Sequence, residues 1–316
     1  MECAINKAID FKVEFKQKFL ERYSQLTNLD KFLEYSQRFL RRAIRVNTLK
    51  ASVKEIKQRL SKDWKLIPIP WCKEGFWIEH KQQERRDIGN TLEHALGYYY
   101  VQEAASMIPP LVLKPRLHST VLDACAAPGS KSTQLAALLK NTGMLIANDA
   151  DYRRIKPLVM NLQRCGAVNF VITIQKAQRI EGNFDFILLD APCSATGTIR
   201  KSLHVARMWN PNMIKRLASI QKRMIKNLFS CLKEDGILVY STCTLEPEEN
   251  EGVIDFLLRK FDNAKIEKIN LNLKRSPCIL EFNNQQYTSE VKKCLRIWPQ
   301  DNDTEGFFVA KIRKTK

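Results

Sequence analysis

The chain has 316 residues, enough for one large domain with a smaller one beside it, and a hydrophobic content of 44% excludes a disordered chain. Lysine and arginine outnumber acids 52 to 34, so the formal net charge is +18, and a sequence pI near 9.5 points to a polyanionic partner such as nucleic acid. Nine cysteines without a CxxC pair, beside four histidines, exclude a disulfide framework and a zinc site, and they favour a reducing, cytoplasmic setting.

The first stretch, MECAINKAIDFKVEF, carries acids and no uninterrupted apolar core, so neither a signal peptide nor a membrane anchor is expected. Ile5, Ala8, Ile9, Phe11, Phe15, Phe19 and Leu20 recur at helical spacing over 5–22. Leu29 to Leu40 repeats the pattern behind a cap at Asn28 or Asp30. RRAIRVNTLK at 41–50 reads as a strand, SVKEIKQRL as a short helix begun at Ser52, and WKLIPIPW and GFWIEH as strands. Residues 1–105 thus form a small α+β domain. Arg41, Arg42 and Arg45 beside Trp64, Trp71, Phe76 and Trp77 fit two roles equally, packing within that domain or an RNA-facing surface. Pro109, Pro110 and Pro115 punctuate the approach to a second domain, 106–316. There the chain alternates strand and helix from TVLDAC to FFVAKI, which predicts an α/β fold of Rossmann-like type, a mostly parallel sheet with helices on both faces. Ligands on such a sheet sit at the carboxyl ends of its strands.

Three strand-then-turn stretches converge on that edge: VLDACAAPGSKSTQL at 121–135, DFILLDAPCSATGT at 185–198 and GILVYSTCTLEPEE at 236–249. In the first, Ala126, Ala127, Pro128 and Gly129 allow a ligand close to the backbone before the helix opens at Ser130. The turn matches neither GxGxxG nor GxxxxGK[ST], which argues against a dinucleotide or ATP. Asp149, at the end of the next strand in MLIANDAD, is placed to accept both hydroxyls of a ribose. The other two stretches place Cys193 and Cys243 beside Asp190 and Lys131. Carbon 5 of cytosine is a poor nucleophile. An enzyme that methylates it must first add a thiolate to carbon 6 and later help remove the carbon 5 proton, so two held thiols next to a carboxylate and an ammonium suit that chemistry. Spacing does not order the two cysteines.

DACAAPGSKS, LLDAPCSATGTIRK, VYSTCTLEPEENEGVI and EGFFVAKIRK, with RVNTLK upstream, resemble the motifs of the Sun/Fmu family of S-adenosylmethionine-dependent RNA cytosine-C5 methyltransferases, above all its archaeal tRNA-modifying members. The likeness runs from about Arg41 to the C-terminus. It implies that Cys125, Ala126, Ala127, Pro128, Gly129, Ser130 and Lys131 wrap the methionine end of S-adenosylmethionine, that Asp149 holds the ribose, and that Arg154 matches an arginine on the following helix. It also implies that Lys131 and Asp190 lie between cofactor and target base. Cys243, the cysteine of the TC pair, is then the nucleophile, and Cys193, of the PC pair, assists product release. Two departures stand out: Ser130 where the family has a second glycine, and Lys176 where an acid commonly meets the adenine.

RNA rather than free cytidine is expected from the basic excess, from Arg200 and Lys201 just after the Cys193 loop, and from the cationic PNMIKRLASIQKRMIK. tRNA is favoured over rRNA, and a monomer without metal or membrane partner is expected. The competing readings are an rRNA enzyme and an RNA-binding scaffold whose cofactor affinity Lys176 weakens. An exocyclic amino methyltransferase ranks last, because DAPC offers no aromatic side chain to stack a base.

Overall fold

The computed structural model describes residues 15–82 and 87–316. The opening helix expected over 5–22 therefore falls partly outside them; within them it runs Gln17–Ser24, followed by a helix Leu29–Gln37 capped by the Asn28 side chain. Four antiparallel strands come next, β1 (Ala43–Val46), β2 (Trp64–Ile69), β3 (Cys72–His80) and β4 (Tyr99–Val101), in the order β2-β3-β1-β4. The helix Val53–Leu60 begins at Ser52 as expected, its hydroxyl accepting from the Glu55 N–H.

The larger sheet uses β5 (Thr120–Asp123), β6 (Met144–Asn148), β7 (Phe170–Thr173), β8 (Phe184–Asp190), β9 (Leu232–Thr242) and β10 (Ala264–Glu267). A short hairpin, β11 (Glu281–Phe282) and β12 (Gln285–Gln286), precedes β13 (Leu295–Ile297) and β14 (Phe307–Lys314). The order is β10-β14-β9-β8-β5-β6-β7, with β13 also on β14. β5 to β9 are parallel, whereas β14 runs antiparallel between β9 and β10. The chain winds outward from β5 to β7 and then returns to β8 on the other side of β5. This is a Rossmann-like sheet, and the reversal between β5 and β8 opens its binding crevice.

Both faces are covered, as parallel sheets require. Leu122, Ile187, Leu189, Leu238 and Tyr240 point to one face, and Val121, Phe186, Leu188, Ile237 and Val239, their neighbours in sequence, point to the other. The first face takes the helices Pro211–Ser230 and Glu251–Lys260 through Ile214, Met224, Val253 and Leu257. Phe19, Tyr23 and Phe32 pack there too, so the two opening helices dock on the large sheet rather than on the four strands that follow them. The second face takes the helix Ser130–Leu138 and the inner side of the small sheet, with Trp71 and Trp77.

That placement corrects the RNA-facing reading of the first-domain aromatics. Trp64, Trp71, Phe76 and Trp77 are all buried, each below 8% exposure. Arg45 is buried as well: its guanidinium donates to Gln102 Oε1 at 2.9 Å and to Thr133 Oγ1 at 2.9 Å, tying β1 to the helix that carries Lys131. Arg41 lies over the Trp77 ring at 4.2 Å. Among the described residues no helix is long and apolar enough to cross a membrane.

Candidate active site

The turn after β5 is built by its own small residues. Gly129 takes φ +105° as it opens the helix, a conformation that L side chains rarely adopt, and Leu158 lies 3.2 Å from where a Cβ would sit. The Ala127–Pro128 peptide is cis. Ala126 N–H donates to the Asn148 carbonyl at 2.7 Å, and Ala127 N–H to Asp149 Oδ2 at 3.2 Å, so the turn is pinned to the end of β6. Asp149 also meets Arg154 Nη1 at 3.2 Å and accepts the Asp151 N–H at 3.0 Å. Arg154 in turn donates to the Ala127 carbonyl at 2.5 Å. The structure thus gathers the 125–131 turn, Asp149 and Arg154 into one crevice wall. Lys176 is exposed, just beyond a segment fixed by Asn148, whose side chain bonds the Gln175 N–H at 3.0 Å and carbonyl at 2.9 Å.

Lys131 enters from the first turn of the Ser130–Leu138 helix. Its ammonium donates to Asp190 Oδ2 at 2.6 Å and to Ser106 Oγ at 3.1 Å, and sits 5.6 Å from the centre of the Phe307 ring. Burial opposes the charged form, but the attraction and hydrogen bond of Asp190 outweigh it and hold the lysine above its ordinary value. Ser241 steadies the other oxygen of Asp190 at 2.8 Å. Cys193 and Cys243 are both free, half-buried, and 3.4 Å apart between sulfurs. The hydrogen bond to Cys243, followed by burial, pushes the Cys193 thiol well above its ordinary value.

Several residues that the motif reading passed over organise this geometry. The buried Glu249 carboxylate accepts from the Ser194 N–H at 3.1 Å, the Ser194 hydroxyl, Gln221 Nε2 at 2.8 Å and Thr244 Oγ1 at 3.3 Å. It therefore joins the residue after Cys193 to the residue after Cys243. Gly197 N–H donates to the Cys243 carbonyl at 2.9 Å and Gly306 N–H to the Gly197 carbonyl at 2.9 Å, so a third loop closes on the same point. A Cβ at Gly197 would lie 2.3 Å from the Gly306 carbonyl oxygen, which explains the glycine. Asp123, at the end of β5, accepts the Ser132 hydroxyl at 2.7 Å on one oxygen and has no partner on the other. Burial pushes this carboxyl up to about 7. The signal for Glu249 was the acid run EPEEN; nothing in composition or spacing singled out Ser194 or Gln221.

Arg200 corrects a prediction. Its side chain is 1% exposed, pairs with Asp303 at 2.7 Å and donates to the Thr304 carbonyl at 3.1 Å and the Phe39 carbonyl at 2.8 Å. A guanidinium held this way ties three chain segments together and has no face for a phosphate. Lys201, next to it, is exposed, as are Lys215, Arg216, Arg223 and Lys226 on the long helix.

The Rossmann-like sheet, the turn after β5 and the paired cysteines at the β8 and β9 ends define a methyltransferase. The chain belongs to the family described as 16S rRNA methyltransferase RsmB/F, whose model matches residues 110–313, and the RsmF N-terminal domain model matches residues 15–104. It is 47% identical, over 98% of its length and all of the relative's, to a tRNA (cytosine(49)-C(5))-methyltransferase of Pyrococcus abyssi. It is 45% identical to ribosomal RNA small subunit methyltransferase F of Psychromonas ingrahamii, of which it covers 64%. A solved methyltransferase homolog from Pyrococcus horikoshii superposes with a TM-score of 0.85 at 37% identity, covering 95% of each chain. NSun6 from Pyrococcus horikoshii with SFG gives a TM-score of 0.83 at 25% identity over 96% of this chain and 99% of that one.

Proposed function

We propose that this enzyme transfers a methyl group from S-adenosylmethionine to carbon 5 of a cytosine in RNA, tRNA before rRNA, through a covalent bond between Cys243 and carbon 6. The observation that carries the reading is the contact of two free thiols, 3.4 Å apart, in a site that also holds the Lys131–Asp190 pair. The contact with Cys243, followed by burial, holds the Cys193 thiol above its ordinary value, and the choice of Cys243 as nucleophile rests on its place in the TC pair of the resembled motif. The Cys243 thiolate attacks carbon 6, the electron pair of the 5,6 double bond moves toward carbon 5, and Lys131 and Asp190 polarise the Watson–Crick edge that receives part of that charge. After methylation the carbon 5 proton passes to solvent water, with Cys193 assisting its release; the pair of the broken C–H bond restores the 5,6 double bond, and the Cys243 sulfur leaves with the pair of its bond to carbon 6.

The cofactor fits the crevice on this chain's own features: a turn of small residues, a carboxylate at Asp149 and an orphaned buried oxygen on Asp123 at the strand end. When bound it supplies a methyl group on a sulfonium. Residues 125–131, Asp149, Arg154 and Asp190 would hold it, with Lys176 outside at the adenine end. An S-adenosylmethionine analogue in a structural neighbour supports the choice. What favours tRNA is the full-length match to an archaeal tRNA enzyme, set against partial coverage of the rRNA relative. Lys201 and the exposed cations of the Pro211–Ser230 helix are the RNA contacts we assign.

Replacing Cys243 with alanine should abolish methyl transfer, and Cys193→Ala should trap a protein–RNA adduct that survives denaturing electrophoresis. An active Cys243 variant, or an adduct trapped by Cys243→Ala and not by Cys193→Ala, sinks the assignment. Bisulfite sequencing of RNA from cells with and without the gene identifies the RNA and the site.

A further inference from the structure

The acids of the TLEPEENE segment behind Cys243 each have a partner from a distant part of the chain. Glu249 faces the Cys193 loop, as above. Glu251 receives a two-point contact from the buried Arg296, at 2.8 and 2.6 Å, while Arg296 Nη1 donates to the Leu245 carbonyl at 2.8 Å. Glu246, fully buried and three residues from Cys243, faces the other way, toward the helix Gln17–Ser24. Arg22 Nε donates to its Oε2 at 2.7 Å, and Tyr23 Oη to its Oε1 at 2.9 Å. Arg22 also reaches Glu248 at 2.5 Å and lies over the Phe282 ring at 4.5 Å. Trp209 Nε1 donates to the same Glu246 oxygen at 3.0 Å, and Lys16 Nζ to the Trp209 carbonyl at 3.2 Å. Trp209 ends the segment that begins at Cys193. The helix therefore grips both cysteine-bearing segments, and it is itself fixed by Tyr23 stacked between Phe19 at 4.1 Å and Phe32 at 4.9 Å.

We propose that Arg22 and Tyr23 are positioning residues for methyl transfer: the N-terminal helix, far from the target base in sequence, holds the Cys243 loop in the register in which its sulfur meets Cys193 and the base. The proposal rests on the reading of Cys243 as nucleophile. A purely stabilising ion pair would place no demand on the loop it touches. Here the buried carboxylate is three residues from the reacting sulfur and has three donors, two from the opening helix and one from Trp209, so losing Arg22 leaves Glu246 a buried charge with its strongest partner gone, and the loop must shift to hydrate it.

Two measurements on the full chain test this. The first is steady-state methylation of tRNA transcripts by wild type, Arg22→Met, Arg22→Lys and Tyr23→Phe. Methionine keeps the packing on Phe282 and removes both ion pairs. A displacement of the nucleophile by about 1 Å costs on the order of 10²-fold in rate, so kcat for Arg22→Met should fall about 30-fold, with KM for RNA and cofactor within about twofold of wild type. Arg22→Lys, which keeps the charge without the fork, should recover part of the loss. Tyr23→Phe, the variant least prone to misfold, should lose about threefold. The second is iodoacetamide labelling of Cys243 in the free protein, followed by mass spectrometry. It needs no substrate, and a released loop should label several-fold faster in Arg22→Met. Unchanged kcat with a lowered unfolding temperature, a raised RNA KM at constant kcat, or unchanged labelling each overturns the proposal. A wild type that methylates no RNA cytosine overturns the functional reading instead, and the labelling result still decides the clamp.

Discussion

Glu249 gives the sharpest quantitative test of the site. Burial pushes its carboxyl up to about 7 from an ordinary 4.5, although the Ser194 and Gln221 hydrogen bonds pull the other way. A carboxyl raised on folding binds its proton more tightly in the native state. Its stabilising effect is therefore present at low pH and is lost as pH rises from the unfolded value toward the folded one. At 1.36 kcal/mol per pH unit, and allowing for partial titration at the lower end, the loss between pH 5 and pH 8 is about 2.5 kcal/mol. Glutamine at 249 removes the titration and keeps the lock. Its carbonyl can replace Oε2, which accepts from the Ser194 N–H and Gln221, and its amide can replace Oε1, donating to the Ser194 and Thr244 hydroxyls.

Urea unfolding of wild type and Glu249→Gln at both pH values measures the difference. The two proteins should lie within about 1 kcal/mol of each other at pH 5. By pH 8 the variant should have gained about 2.5 kcal/mol on wild type, close to 1 M in urea midpoint at a slope of about 3 kcal/mol per M. Asp123 and Glu103, pushed up to about 7 and about 8, slope the same way in both proteins and cancel in the comparison. Parallel curves would refute the reasoning, because they would mean that Glu249 titrates as an ordinary surface acid.

Arg200 and Lys201, adjacent in sequence, should part company. Arg200→Ala should cost about 3 kcal/mol of stability by leaving Asp303 and three carbonyls without their donor, whereas Lys201→Ala should leave urea unfolding unchanged and raise KM for tRNA. If Lys201 meets a phosphate, the slope of log affinity against log salt should also fall by about one, and an unchanged slope removes it from the RNA interface. The two active-site thiols make another prediction. Diamide, which takes two electrons and two protons from a thiol pair, should join Cys193 to Cys243, abolish activity and be reversed by dithiothreitol. A disulfide needs its sulfurs about 2.05 Å apart, so side-chain motion of roughly 1.4 Å suffices, and failure to form it would contradict the 3.4 Å approach.

Much of the fold was legible because period and punctuation act locally. The alternation from Thr120 onward, the Ser52 and Asn28 caps and the glycine turn at 129 are each set by a few neighbouring residues. The docking of Phe19 and Tyr23 on the large sheet was not legible, since an amphipathic helix shows that it has a partner and not which one. The same limit misassigned Arg200 and left Arg45 and the first-domain tryptophans between packing and an RNA-facing surface. A cation or an aromatic ring looks the same in sequence whether it meets RNA or closes a gap between two segments.

The acid run after Cys243 shows why a motif can be long without being wholly catalytic. In TCTLEPEENE all four acids are tied to distant parts of the chain: Glu246 and Glu248 to Arg22 of the opening helix, Glu249 to the Cys193 loop and Glu251 to Arg296 on β13. On the proposed reading the Cys243 sulfur has to be held to a fraction of an ångström on its loop, and that placement needs rigid support from the residues around it. Four carboxylates, each held by donors from outside the segment, supply that rigidity. Lys131 commits its own hydrogen bonds to Asp190 and Ser106. The two sulfurs are placed, 3.4 Å apart, by the loops that carry them.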